Sequence, residues 1–264
     1  MPVARSALGA PVSGGYPVIT IAVIGLCVAM YIGQQASGDQ WSLDLMFLPR
    51  LAWYEPWRIV TAAFMHASII HLLLNMYALW VVGSFMEQQL GRARFLSVYL
   101  GSALGGHVMI LIYFRLFDYT QAGAYTGTVG ASGAIFGLFA ATLLSARKLR
   151  ANVSGIAMVI GLNLIISFTV PNISWQGHLG GLVTGGLMAL AIVYAPPARR
   201  RLWAVLAPTA VVVLTVLVMY LTAPPSGPRA SAGSLHPGSV RALEAPAGPV
   251  SGTPRLGPDW PPGR

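Results

Sequence analysis

Residues 151–198, ANVSGIAMVIGLNLIISFTVPNISWQGHLGGLVTGGLMALAIVYAPPA, form a run of 48 residues without one charged side chain. A helix that crosses a bilayer needs about 20 apolar residues. The run therefore holds two crossings, and Val170-Pro171-Asn172 marks the break between them. The same test applied outward finds uncharged stretches of 33 residues (Ser6 to Gly38), 28 (Ile59 to Met86), 20 (Phe95 to Phe114), 28 (Tyr119 to Ala146) and 27 (Leu202 to Pro228). Seven crossings are predicted, with cores at 17–35, 68–88, 94–115, 130–147, 153–170, 175–195 and 202–223. The fold class is an all-α membrane protein, a polytopic helical bundle.

Composition agrees. Of 264 residues, 55% are hydrophobic and 9% charged, against about 25% charged in a soluble domain, too few to cover a water-facing surface. The basic excess, 16 Lys+Arg over 7 Asp+Glu, forms no stripe or patch of the kind nucleic acid requires, so no nucleic-acid partner is expected. It reads as a topology signal. Arg92, Arg94, Arg147, Lys148, Arg150, Arg199, Arg200 and Arg201 fall on alternate connections, against Arg50, Arg58 and Arg115 on the others. Basic residues stay inside, which puts the amino terminus in the cytoplasm and the carboxyl terminus outside. A single cysteine, Cys27, excludes an intrachain disulfide and thiolate metal sites.

The chain divides into a short cytoplasmic segment (1–16), a six-crossing core (17–195), a basic linker with the seventh crossing (196–223) and a tail (224–264). That tail holds 10 Pro and 7 Gly in 41 residues and is expected to be disordered and external. Residues 17–35 are read as a retained crossing rather than a signal peptide, since only Arg5 precedes them as a positive charge. Trp41, Trp53, Tyr54 and Trp57 in the first outer connection suit the headgroup level.

Polar side chains are costly in a bilayer and so are functional candidates. Those in or at the ends of the predicted crossings are His66, His71, Asn75, Glu87, His107, Ser132, Asn163 and His178. No Asp lies in a crossing, which excludes an aspartyl dyad, and no H-E-x-x-H zinc motif occurs. His66 and His71, five apart, lie about 140° apart around a helix and cannot easily share a metal. His71 and Asn75 are one turn apart on one face, where interhelical bonding explains them as well as chemistry does. Ser132 opens the fourth crossing within Gly130-Ala131-Ser132-Gly133, and His178 lies in the first turns of the sixth. Small residues recur every four positions beside both: Gly133, Gly137 and Ala141 on one, Gly177, Gly181, Gly185 and Ala189 on the other. Such stripes let helices pack backbone to backbone. Facing each other, they would bring Ser132 and His178 within reach. Imidazole can take a serine proton near neutral pH, and the Ser132 amide, His71 and Asn75 could then stabilise an oxyanion.

These residues resemble the rhomboid family of intramembrane serine proteases. The likeness covers about 17–195 and rests on Trp57-Arg58, His66-x-x-x-x-His71-x-x-x-Asn75, Glu87-x-x-x-Gly91, the 130–133 motif and Gly177-His178-x-x-Gly181-x-x-x-Gly185. It implies a six-helix rhomboid-like core with an added seventh helix. Ser132 would be the nucleophile and His178 the base, with His71, Asn75 and the Ser132 amide around the oxyanion. Gly130, Gly133, Phe136, Gly181 and Gly185 would support them. Phe136 stands where some members have tyrosine, and Gln89 where some have arginine. The implied function is cleavage of a peptide bond in or near the transmembrane segment of membrane-protein substrates, without metal or cofactor. The expected setting is the lipid of a bacterial cell membrane. Substrate-binding residues, oligomeric state and roles for His107 and Asn163 are left open. The alternative is a rhomboid-like binder that does not cut.

Overall fold

The structure, a computed structural model, describes Ser6, Leu8, residues 16–117 and residues 126–223. Most of the amino-terminal segment and the whole 224–264 tail lie outside the described residues, and so do the readings made of them. Helices are α1 (Val18–Ser37), α2 (Asp39–Leu45), α3 (Arg58–Thr61), α4 (Ile69–Ala78), α5 (Ser84–Leu90), α6 (Arg92–Phe117), α7 (Ser132–Lys148), α8 (Ser154–Thr169), α9 (Trp175–Val193) and α10 (Arg200–Thr222). A π turn, Leu79–Gly83, joins α4 to α5 into one run. Among the described residues β pairing is confined to one isolated bridge, Phe47 with Thr128.

Five helical runs are long and apolar enough to cross a membrane: Val18–Ser37, Ile69–Leu90, Arg92–Phe117, Trp175–Val193 and Pro197–Thr222. The other two predicted crossings are helical but shorter, 17 residues in α7 and 16 in α8. The break in the long uncharged run falls at the proline. Val170 is extended ahead of Pro171, as a residue before proline must be, and Asn172 adopts a left-handed φ of 64°.

Glycine sets the depth of packing at the centre. A Cβ on Gly181 would lie 2.0 Å from the Gly133 carbonyl oxygen, and one on Gly185 would lie 2.3 Å from the Gly137 Cα. On the other side, a Cβ on Gly106 would lie 2.8 Å from the Gly177 oxygen. α6, α7 and α9 thus touch through their backbones, with large side chains such as Tyr99, Leu138 and Met188 filling the space beyond. The outward faces are apolar instead of charged, as at Leu73, Leu74, Tyr77, Met158, Leu187 and Val213. A multi-pass membrane protein has this pattern because lipid, not water, meets its perimeter.

Buried ionic groups hold the periphery. Glu87, 5% exposed, accepts from the amides of Ile19 and Thr20 at 3.0 and 2.8 Å and from the Thr20 hydroxyl at 2.8 Å. Its carboxylate thereby caps the start of α1, where unpaired amides and the helix dipole favour negative charge. Arg58, fully buried, bonds to the Glu55 carboxylate and to the carbonyls of Leu43 and Met46. The first connection is therefore a folded unit around Arg58, with Trp53, Tyr54 and Trp57 on its outside and Phe47, Leu48 and Leu51 inside.

Candidate active site

Ser132 is the first residue of α7, so its own amide is among the helix-start donors that have no partner within the helix. The approach to it is pinned from two sides. Thr128 exchanges both backbone bonds with Phe47, and the Gly130 amide donates to the Ala62 carbonyl at 2.9 Å. Gly130 has φ 137°, a conformation that strains any residue with a Cβ. A side chain there would also lie 2.9 Å from the His71 ring.

His178 sits in the first turn of α9, whose start is capped by Ser174 accepting from the Gly177 amide at 3.2 Å. Its Nε2 is 2.7 Å from Ser132 Oγ. Its ring stacks on Phe136, centroids 4.3 Å apart and planes 15° from parallel. Phe136 lies one turn beyond Ser132, so a single helix carries both the hydroxyl and the plate against which the imidazole lies.

His71 approaches from α4. Its Nδ1 accepts from the Ala67 amide at 3.4 Å, so its ring proton belongs on Nε2. A Cβ at Gly130 would lie 3.1 Å from that Nε2 and 3.5 Å from Ser132 Oγ, so the donor borders the same small space as the serine. Asn75, 7% exposed, gives one amide proton to the His71 carbonyl at 2.9 Å, within its own helix. His66 packs its ring edge-on against His71, centroids 5.1 Å apart. Among the described residues no cluster of three or more His, Cys, Asp or Glu forms.

Two further residues join this neighbourhood, one that the sequence left without a role and one that it did not point to. His107, to which sequence assigned no role, lines a cavity of about 30 Å³ together with Thr128, Ser132, Ser174 and His178. That is room for one or two waters. Ser167, on α8, lies 2.6 Å from Nδ1 of His178. The one hint of it in sequence is an isolated hydroxyl one turn after Asn163, and serines bonded to their own helix are common in apolar segments.

Fold and site together define a helical membrane protein that holds a hydrogen-bonded serine and histidine inside an apolar bundle. The family model for the Rhomboid domain matches residues 54–195, and the chain belongs to the rhomboid family. It is 34% identical over 217 residues to "Rhomboid protease GluP" of Bacillus subtilis (strain 168), covering 76% of this chain and 41% of that protein. It is 33% identical over 150 residues to "RHOMBOID-like protein 6, mitochondrial" of Arabidopsis thaliana, covering 54% and 45%. The chain thus spans less than half the length of these two relatives.

Proposed function

We propose that the chain is an intramembrane serine endopeptidase that hydrolyses a peptide bond in or near the transmembrane segment of other membrane proteins. One observation carries the reading. Two side chains 46 residues apart, on helices packed glycine to glycine, are hydrogen-bonded at 2.7 Å. Interhelical bonding alone would not need the His71 ring donor that borders the same serine. Its kinship with a protein named as a rhomboid protease adds support.

In this mechanism Ser132 Oγ attacks the scissile carbonyl carbon while its proton passes to Nε2 of His178. The carbonyl π electrons move to oxygen, and the oxyanion takes hydrogen bonds from the Ser132 amide, His71 Nε2–H and the free proton of the Asn75 amide. On collapse the C–N bond breaks, and imidazolium returns the proton to the departing amine. A water from the cavity beside His107 and Thr128 then attacks the acyl-enzyme, its proton again taken by His178. The second tetrahedral intermediate collapses with cleavage of the acyl C–O bond, imidazolium gives its proton to Ser132 Oγ, and the product acid leaves with Ser132 and neutral His178 restored. Side chains and water supply every proton and electron pair.

The rest of the reading rests on sequence. The chain crosses a cell membrane, bacterial by resemblance, seven times with its amino terminus in the cytoplasm, so the site opens toward the outer face. The comparative shortness of α7 then has a function, because a helix of about 25 Å leaves Ser132 below the membrane surface in a water-reachable recess. The test is labelling by a fluorophosphonate probe together with cleavage of a transmembrane substrate in detergent. Wild type should label and cut. Ser132→Ala, His178→Ala and the double variant should be equally inactive, since members of such a unit are not additive. Substantial cleavage by Ser132→Ala would falsify the assignment, and a folded wild type that neither labels nor cuts would favour the binder reading.

A further inference from the structure

α8 reaches the site through a single side chain. Only Ile160 and Ser167 are buried on this helix. Ser167 Oγ stands 2.6 Å from the Asn163 carbonyl oxygen and 2.6 Å from Nδ1 of His178. A serine hydroxyl has one proton to give. The carbonyl can only accept, so both contacts are hydrogen bonds only when that proton goes to Asn163 and the oxygen offers His178 a lone pair. Nδ1 must then be the protonated nitrogen of the ring. Neutral imidazole carries one ring proton, so Nε2 is left bare, and it is Nε2 that faces Ser132 Oγ at 2.7 Å.

The stack on Phe136 sets the plane of the ring. It does not choose the tautomer, and a ring flipped within that plane would keep the same stacking. The choice belongs to whatever bonds the other nitrogen. With the proton on Nε2, His178 would donate to Ser132 and could not take its proton.

We propose that Ser167 is a positioning residue for the reaction. Its hydroxyl, oriented by the Asn163 carbonyl, holds His178 in the Nδ1–H tautomer and in the ring orientation that a base for Ser132 requires. This deepens the reading of His178 as base and rests on it. The arrangement does by neutral relay part of what a carboxylate does in a triad. A hydroxyl adds no negative charge to stabilise the imidazolium, so its removal should cost less than the loss of a buried carboxylate. Asn163, unassigned from sequence, acquires a role through its backbone, not its amide, which bonds the Val159 carbonyl at 2.9 Å.

The test compares Ser167→Thr with Ser167→Val, two side chains of nearly equal shape that differ in the hydroxyl. Full-length protein labelled with 15N-histidine is measured above neutral pH in micelles, with the His178 signals assigned by their loss in His178→Gln. Wild type and Ser167→Thr should show protonated Nδ1 and bare Nε2, while Ser167→Val should show mixed tautomers. Turnover per folded enzyme should fall about ten- to a hundredfold in Ser167→Val with KM little changed, on the scale of one acid–base contribution, and stay near wild type in Ser167→Thr. Equal tautomers and equal kcat in Thr and Val variants would overturn the proposal. So would wild type with its proton on Nε2, a measurement that needs no variant to fold. Wild-type turnover by His178→Gln would instead remove the base itself, a separate failure.

Discussion

α7 and α9 meet through bare backbone, whereas α8 lies against the same neighbours with 14 of its 16 residues not buried. A methyl group added at Gly181 would strike a carbonyl oxygen at 2.0 Å, but one added at Gly155 or Gly161 meets nothing within 4 Å. Both regions touch His178: α9 carries it, α7 brings Phe136 and Ser132 to it, and α8 adds the Ser167 hydroxyl. The difference teaches where tolerance can exist. The distance between the reacting atoms is set by contacts that leave no slack, as expected where a misplacement of about 1 Å can cost a hundredfold in rate. The hydroxyl that orients the ring arrives on a helix whose outer face, with Met158, Leu162, Ile165 and Phe168 exposed, is free to meet lipid or an incoming helix. We propose, on the resemblance to the rhomboid family, that α8 and residues 171–174 act as a gate. Displacing α8 would part Ser167 from His178 while leaving Ser132 and His178 together.

The comparison breaks most directly at Gly181. Gly181→Ala forces its methyl into the Gly133 backbone, where neither side can swing away, so α7 and α9 must separate. Turnover should drop about a hundredfold or more, the price of parting the reacting atoms, with stability lowered by roughly 1 to 3 kcal/mol as for other overpacked sites. Activity per folded molecule and thermal unfolding in detergent measure the two effects. Wild-type activity in this variant would mean the contact is soft.

Asn75 sharpens the boundary between the rigid site and its surroundings. If its second amide proton serves the oxyanion, Asn75→Ala should still label at Ser132 but cut slowly. The loss should be about ten- to a hundredfold, less than the full worth of one such donor because water can replace part of it. Were it only a link within the bundle, stability would fall by about 0.6 to 2 kcal/mol while each labelled enzyme turned over at the wild-type rate.

The smallest effect is expected on α8. Gly161→Ala, or the same change at Gly155, adds a methyl group into open space and relieves the entropic penalty of glycine in a helix. Unfolding should shift by no more than about +0.4 to +1 kcal/mol, with turnover unchanged. A marked loss of stability would show that another surface covers this face.

Much of this was legible in the chain because hydrophobicity and period are local. An uncharged run of the right length must become a helix in lipid, where backbone polar groups have no other partner, so the all-helical class and the break at Pro171 could be read before any contact was known. The glycine period told which faces of α7 and α9 could approach closely, since only a missing Cβ permits it. Arg58 reads in sequence as a loop charge and is instead the buried centre of the first connection, because burial depends on what folds over a residue.

Ser167 marks the limit most clearly. Nothing within α8 distinguishes its hydroxyl from those of Ser154 or Thr169, each bonded locally at a solvent- or lipid-facing position. Its meaning comes from His178, 11 residues later and on another helix. Helix content, membrane residence and the identity of the nucleophile and base candidates follow from residue order, because each depends on side-chain chemistry and short-range spacing. The protonation of the imidazole, the cavity beside His107 and the unequal packing of α8 and α9 arise only when helices meet, because each is a relation between atoms that the chain order leaves apart.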